Sequence, residues 1–288
     1  MSVCKERSVM SGKNDIENKI FEGRIFDLVR SSEYEIKTSR FLTPAEQKAA
    51  FDAAGNGGAA ERCLFWGGAP GCERRLAVFV PEWLAPDTKQ GGAFDPAREE
   101  AVKEMIAEGT VDGELLPVLP VSISGSAYSE LTHRDYLGAL IALGIERDSI
   151  GDIIVTAPSS AYVFALPGAA KLMENELTSV GREKVNVTVK PIPDGFRIEK
   201  EYEVITDTVM SPRLDGIVKA LCSVSREAAL ELVLHGDVSV NYSVLMKPDA
   251  EVVKGDVLSV RGYGKFIYDG DRGVNRRGRL RIDARKYI

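Results

Sequence analysis

The sequence predicts an α+β fold in two or three domains, on three observations. Its 288 residues, at about 150 residues per domain, make two domains or three small ones. Between residues 73 and 192, helix-like and strand-like segments alternate, as in a compact α/β sandwich of the split βαβ type. After a polar stretch with two prolines, PIPDGFRIEKEYE (191–203), a separate helix–helix–strand pattern begins. Apolar residues make up 44% and charged residues 28% of the chain, proportions that exclude wholesale disorder. No apolar run approaches the roughly 18 residues of a membrane span, and MSVCKERSVMSGKNDIENK is too polar for a secretory signal. A soluble intracellular protein with no membrane partner is expected.

The first 72 residues are expected to be mostly helical. Ile16, Ile20, Ile25, Phe26 and Val29 recur at roughly helical spacing across Asp15–Arg30. FLTPAEQ then supplies Thr43 as N-cap, Pro44 at the first helical position and Glu46 three residues after the cap. GNGGAAE breaks that helix, and RRLAVFVPEWL reads as a strand ending near Pro81. Pro96 to Gly109 is a helix with Asp95 as its cap. LLPVLPVSIS is strand-like, and its two prolines favour a sheet edge. LTHRDYLGALIALG is a helix with Thr132 as cap and Gly144 as stop. DIIVTAPSSAYVFAL folds back as two strands about Pro158–Ser160. A helix over Ala169–Val180 and the strand KVNVTVK complete the sandwich.

The last unit is expected to start at about Glu203. A helix runs from Ser211, with Pro212 at its first position and Leu214, Ile217, Val218, Leu221 and Cys222 as its apolar stripe. Ser225 caps a second helix ending before Gly236. VSVN opens a hairpin, GDVLSVRGYGKFIY supplies a strand pair, and RRGRLRIDARKYI alternates as a half-buried strand does.

Charge is unevenly distributed. The net charge is −6, yet residues 211–288 hold 14 basic and 10 acidic side chains against 23 basic and 33 acidic before them. Residues 261–288 alone hold 9 basic and 3 acidic. An acidic body with a basic end suggests local engagement of a polyanion. Cys4, Cys63, Cys72 and Cys222 form no C-x-x-C pair, and only His133 and His235 could join them, so neither a disulfide framework nor a metal site is expected. No G-x-x-x-x-G-K-[ST] or G-x-G-x-x-G phosphate loop occurs, so no cofactor is expected. There is no G-x-S-x-G elbow, and His133-Arg134-Asp135 lacks the Asn of a kinase catalytic loop, since Leu140 stands there. No catalytic constellation and no small-molecule substrate are indicated.

Beyond Ser211 an ordered set of motifs occurs: R-L-D at 213–215, S-R at 225–226, G-x-V-x-V-N at 236–241, K-P at 247–248 and G-D-x-x-x-V-R at 255–261. This set resembles the S4 RNA-binding domain, or alpha-L motif. Arg213 and Arg226 each open a helix, where a basic side chain opposes the helix dipole. Facing a phosphate offsets that cost, because a guanidinium pairs bidentately with it and helix-terminal N–H groups join in. Asn241 tolerates a left-handed turn. Lys219, Lys247, Arg261 and Lys265 add basic candidates, and Tyr263 either stacks on a base or packs locally. The arginines of 272–286 are either a phosphate-tracking tail or a soluble edge strand.

The central stretch PVSISGSAYSELTHRDYLGALIALGIERDSIGDIIV resembles the signature of the YlmH family, and FLTPAEQ and GGAPGCERRLAVFVP resemble it more loosely. That resemblance implies a central RRM-like domain (73–192) between an N-terminal region (1–72) and an S4 domain with a basic extension (203–288). His133 and Arg134, after the turn Ser124-Gly125-Ser126, are RNA candidates there; alternatively Asp135 and Thr132 merely satisfy the helix start. The RNA-binding candidates are Arg213, Lys219, Ser225, Arg226, Asn241, Lys247, Arg261, Lys265, His133 and Arg134, of which the resemblance implies Arg213 and Arg226 as RNA-contacting arginines.

The function implied is non-enzymatic binding of structured RNA, rRNA and tRNA, on the large ribosomal subunit in the cytoplasm, during quality control of stalled peptidyl-tRNA. Two alternatives stand beside it. S4 domains also precede pseudouridine synthases, whose Arg-Leu-Asp carries the catalytic aspartate, although here Asp215 lies inside the S4 motif itself. A cell-division factor whose middle domain binds a protein is the other; a tyrosyl-tRNA synthetase remnant lacks its His-x-Gly-His signature.

Overall fold

The computed structural model describes residues 18–86, 92–112, 114–126, 130–193, 196, 198 and 200–288. The fold is α+β throughout, and the chain divides into two compact units, 1–198 and 199–288. Asp15, Ile16 and Cys4 lie outside the described residues.

The first unit opens with helix α1 (residues 18–31), strand β1 (Lys37–Leu42) and helix α2 (Pro44–Asn56). On α1, Ile25 and Val29 are buried, whereas Ile20 and Phe26 of the expected stripe face solvent. At the start of α2 the Glu46 amide donates to Thr43 Oγ1 (3.3 Å) and the Thr43 amide donates to Glu46 Oε2 (2.7 Å), the expected capping box. Strands β2 (Cys63–Trp66) and β3 (Arg75–Phe79) complete a three-stranded sheet in the order β1-β3-β2. Helices hold 18–31 and 44–56 of the first 72 residues, in line with the helical reading; β1 and β2 were not expected there, and both pair with β3, beyond residue 72. The side chains of this sheet alternate between two cores. Cys63, Phe65, Ala77 and Phe79 face α1 and α2, while Leu64, Trp66, Leu76 and Val78 face the other way.

Helix α3 (Pro96–Ala107) follows, with the Ala97 amide donating to the Asp95 carboxylate (2.9 Å). The central sheet then comprises β4 (Leu119–Gly125), β5 (Ile150–Ala157), β6 (Ser160–Ala165), β7 (Ser179–Val180) and β8 (Glu183–Val189), interleaved with α4 (His133–Ala142) and α5 (Pro167–Glu176). Its order is β5-β6-β4-β8-β7 with antiparallel ladders, the split βαβ arrangement. β4 is therefore central, not an edge. Pro117 precedes the strand, and Pro120 lies near its start, just before the β8 register opens at Val121↔Val189, with its carbonyl accepting from the Lys190 amide (3.2 Å), a strand-end position where proline is tolerated. α5 also ends earlier than expected, since Ser179 and Val180 pair with β8.

Helices α4 and α5 cover one face of this sheet through Val121, Ile123, Val163, Tyr136, Leu140 and Met173. Much of the opposite face is covered as well. Phe164 is fully buried in the core shared with Leu64, Leu76 and Val102, and Tyr162 meets Phe196 edge-on at 5.5 Å between centroids. Gly68 brings the GGAPG loop onto this face: its φ is +102°, and a Cβ there would stand 2.4 Å from Phe164 and 2.7 Å from Val118. Ile192, Phe196 and Ile198, within the stretch read as a linker, pack on the same core.

The second unit is a six-stranded antiparallel sheet with two helices on its inner face. Strand β9 (Tyr202–Val209) leads to α6 (Leu214–Cys222) and α7 (Arg226–Leu234). β10 (Val238–Val240), β11 (Ser243–Val244), β12 (Val257–Val260), β13 (Gly264–Val274) and β14 (Leu280–Tyr287) follow, in the sheet order β11-β10-β12-β13-β14-β9. Leu214, Ile217, Val218 and Val233 pack against Val238, Leu258, Phe266 and Ile282. The arginine-rich β14 is not an edge strand, because β9 pairs with it along its whole length from Leu280↔Val209 to Tyr287↔Tyr202.

Candidate nucleic-acid interface

Helix α6 starts later than Pro212. The segment 212–214 runs extended beside residues 250–252: the Val252 amide donates to the Pro212 carbonyl (2.9 Å) and the Leu214 amide to the Ala250 carbonyl (2.8 Å). Arg213 is thus the N-cap, with φ −74° and ψ 146°. The Asp215 amide is taken by the Pro248 carbonyl (3.0 Å) and the Gly216 amide by Asp215 Oδ1 (3.0 Å). The first amides of α6 are therefore engaged within the chain, which corrects the expectation that they join an anion site. Ser225 caps α7 by accepting from the Ala228 amide (3.1 Å), leaving Arg226 at the first helical position.

Both arginines meet at one carboxylate. Asp215 is 4% exposed. Arg213 donates to it twice, Nε to Oδ1 at 3.1 Å and Nη2 to Oδ2 at 3.3 Å, and Arg226 Nη2 lies 3.6 Å from Oδ2. Burial pushes the Asp215 carboxyl up, but the Arg213 hydrogen bonds and charge, the Gly216 amide and the Arg226 charge outweigh it and hold it below the usual carboxylate range. The guanidinium of Arg213 is correspondingly held above its ordinary value by Asp215. Side-chain exposures of 44% and 73% leave the outward sides of Arg213 and Arg226 open to solvent.

These groups line a cleft of about 120 Å³ that also takes in Lys219, Thr208, Ser211 and Arg279. Lys219 follows Asp215 by one helical turn. Arg279 comes from the β13–β14 turn, which Asn275 folds by accepting from the Arg277 and Arg279 amides (2.9 and 3.0 Å). Four cations facing one buried carboxylate leave a surplus of positive charge, suited to phosphate oxygens. Arg279 belongs to the arginine run that the sequence left undivided. Only the hairpin brings it to this cleft.

The remaining candidates lie elsewhere in the second unit. Asn241 has φ +47°; its amide donates to Asp256 Oδ1 (2.7 Å) and accepts from the Val257 amide (3.0 Å), so the side chain holds the turn. Lys247 is exposed in the segment between β11 and β12. Arg261 pairs with Asp237 at 3.5 Å, and Lys265 lies against the rings of Tyr242 and Tyr287.

In the first unit the start of α4 follows the structural alternative. The Asp135 carboxylate accepts from the Thr132 amide (2.8 Å) and hydroxyl (2.7 Å), and these bonds hold it below the usual carboxylate range. The Ser126 amide of the small-residue turn donates to Glu183 Oε1 (2.8 Å), a buried carboxylate occupying the place expected for a phosphate. His133 and Arg134 remain exposed; partial desolvation and the Arg147 charge hold the His133 imidazole below its ordinary range. Among the described residues no group of three His, Cys, Asp or Glu is placed to hold a metal ion, and no helix is long and apolar enough to cross a membrane.

Comparison with known proteins adds three findings. Residues 121–194 match the family model described as "Putative RNA-binding domain in YlmH". The chain is 27% identical over 250 residues to the Ribosome-associated protein quality control protein P2 of Bacillus subtilis, covering 87% of each chain. It is also similar to the solved Cell division protein ylmH from Streptococcus pneumoniae, at 22% identity and a TM-score of 0.45 over 63% of this chain and 96% of that one. The centre of the chain thus matches the RNA-binding domain described for YlmH, and most of its length is similar to a ribosome-associated quality-control protein.

Proposed function

We propose that this protein is a non-enzymatic RNA-binding protein that grips structured rRNA and tRNA on the large ribosomal subunit, in the quality control of stalled peptidyl-tRNA complexes. The observation carrying the reading is the convergence of Arg213 and Arg226 on the buried Asp215, with Lys219 and Arg279 completing a basic cleft. The S4 motifs of residues 203–288 fall on this unit, and the arginine positions that the S4 resemblance implies are the two that meet there. The name of the Bacillus subtilis relative supports the ribosomal setting and with it a cytoplasmic location.

The mechanism is positional. Phosphate contacts from the cleft fix the protein on the RNA, and shape does most of the selection because A-form helices hide their base edges. Asp215 orients the guanidinium groups and takes no part in bond chemistry. Its two arginine partners and the Gly216 amide leave it placed as a structural anchor, which favours this reading over a pseudouridine synthase. The central domain (73–192) presents no open aromatic sheet face at Phe164 or Tyr162, so contacts made there fall to other surfaces, among them the start of α4 at His133 and Arg134.

Sedimentation of lysate through sucrose gradients at low and high salt tests this reading. Wild type is expected with the large subunit at low salt and to leave it as salt rises, since phosphate contacts release counterions. Arg213→Ala with Arg226→Ala is expected at the top of the gradient. Both proteins at the top, with stalled ribosomes enriched at low salt, overturns the proposal.

A further inference from the structure

We infer that the β13–β14 hairpin is a fixed arginine finger for paired RNA, in which Arg276 and Arg277 at the tip each take one backbone phosphate beyond those held in the cleft; this rests on the RNA-binding reading above. The finger stands clear of the sheet. β12 leaves β13 at Ile267 and β9 leaves β14 at Leu280, whereas the hairpin ladder continues to Val274↔Leu280. Beyond that pair the Asn275 amide donates to the Arg279 carbonyl (2.8 Å) and the Gly278 amide to the Asn275 carbonyl (3.0 Å). The Asn275 side chain adds its bonds from the Arg277 and Arg279 amides, and Gly278 takes the left-handed backbone of the turn at φ +72°. Arg276 and Arg277 thus project from a closed turn.

The charge on the finger is not neutralised within the chain. Asp283 pairs with Arg272 and accepts from the Thr206 hydroxyl (3.0 Å), and Asp269 accepts twice from Arg285 (2.8 Å each). Asp271 accepts from the Gly273 amide (3.2 Å), and Asp207 of the adjacent β9 from the Thr208 amide (2.6 Å). Among the described residues Arg276, Arg277, Arg279 and Arg281 are exposed and belong to no ion pair. With all four of those carboxylates counted, the arginines at 272, 276, 277, 279, 281 and 285 still outnumber them. Arg279 belongs to the cleft and to the finger alike, so the two make one continuous basic surface and the polyanion on it is RNA. Its paired form follows from what the tip lacks. Sites for unpaired strands stack bases on aromatic rings, and Val274–Leu280 holds none, leaving guanidinium groups that pair with phosphates. Paired RNA presents those phosphates at a fixed spacing and hides its base edges, which a turn already closed meets with little further ordering.

Fluorescence anisotropy with the full-length protein tests the finger, using a mixed-sequence RNA duplex and an oligouridine with the same number of phosphates. Arg276→Gln with Arg277→Gln changes only exposed side chains, so the fold is not at stake. It is expected to weaken duplex binding by about tenfold and to lower the salt slope by roughly 2, while oligouridine, which bends to reach other cations, loses less than about twofold. Asn275→Ala keeps every charge and releases the turn; it is expected to weaken duplex binding by about threefold with the slope unchanged. An unchanged duplex affinity or slope in the arginine variant, an equal loss for oligouridine, or an unchanged affinity in Asn275→Ala would each overturn the finger. Failure of wild type to bind either RNA would instead overturn the RNA-binding reading on which it rests.

Discussion

The start of α4 and the starts of α6 and α7 look alike in sequence, since each places a basic residue beside a carboxylate at a helix N-terminus. Their structures differ in where the carboxylate points. At α4, Asp135 turns back onto Thr132 and Glu183 fills the neighbouring turn, so the anion positions are occupied from within the chain. At α6, Asp215 turns inward and draws both Arg213 and Arg226 to its two oxygens, leaving their outer sides to solvent. On the proposed reading, a basic helix start offers itself to phosphate when its acidic neighbour anchors the cations and remains buried. Where that neighbour caps the helix instead, the site is already full.

The sharpest test of this contrast is RNA affinity. Arg213→Ala with Arg226→Ala is expected to lower affinity for large-subunit RNA by about a hundredfold and to reduce the salt slope by roughly 2, whereas Arg134→Ala changes either little. Equal losses from the two helix starts would break the comparison. A second test concerns the covered sheet face of the first unit. Gly68→Ala puts a Cβ against Phe164 in a left-handed backbone, with an expected loss of about 2–4 kcal/mol read by thermal unfolding. The melting of an isolated second unit cannot depend on that residue, so a transition belonging to residues 1–198 should move alone.

Asp215→Asn is expected to cost about 1–2 kcal/mol, at the low end for a buried charge because both arginines are partly exposed. The sign with pH follows from the depressed carboxyl. Its contribution is present above the unfolded carboxylate value of about 3.9 and is lost as pH falls through the lower folded value. Melting curves of wild type and Asp215→Asn should therefore converge in acid; a constant gap down to the lowest pH would remove the charge from the explanation. The smallest effect is expected at His133. Its folded-state value is lowered, so protonation opposes folding, and stability declines slightly as pH falls below the unfolded value of about 6.5. His133→Gln should remove that decline, with a change under about 0.5 kcal/mol.

Much of the local structure was legible because its causes are local. Thr43 with Glu46, Asp95 and Ser225 cap the helices that the sequence assigns to them, and the split βαβ order follows from the alternation of segments. The misread places depend on distant partners. β1 and β2 were hidden in a region read as helical because they are short and need β3 to pair. β4 looked like an edge because its prolines were weighed without knowing that its ladder with β8 starts after them. The covering of the central sheet had a signal in SAYVFA, a strand apolar on both faces, which implies a layer on each side. Arg279 could not be singled out among its neighbours, since only the β13–β14 turn brings it to Lys219 and Arg226.

The sequence by itself determined the likeness to YlmH proteins, the α+β class, the basic C-terminal end and the two arginines at the head of the second unit, because motif order, helix caps and charge count are properties of contiguous residues. The tertiary structure alone decided that Arg213 and Arg226 share one buried carboxylate, that Phe164 and Tyr162 are covered, and that Lys265 stands between two tyrosine rings. Each of these depends on the direction of a side chain across elements far apart in the chain, and packing and pairing fix that direction only once the layers have assembled.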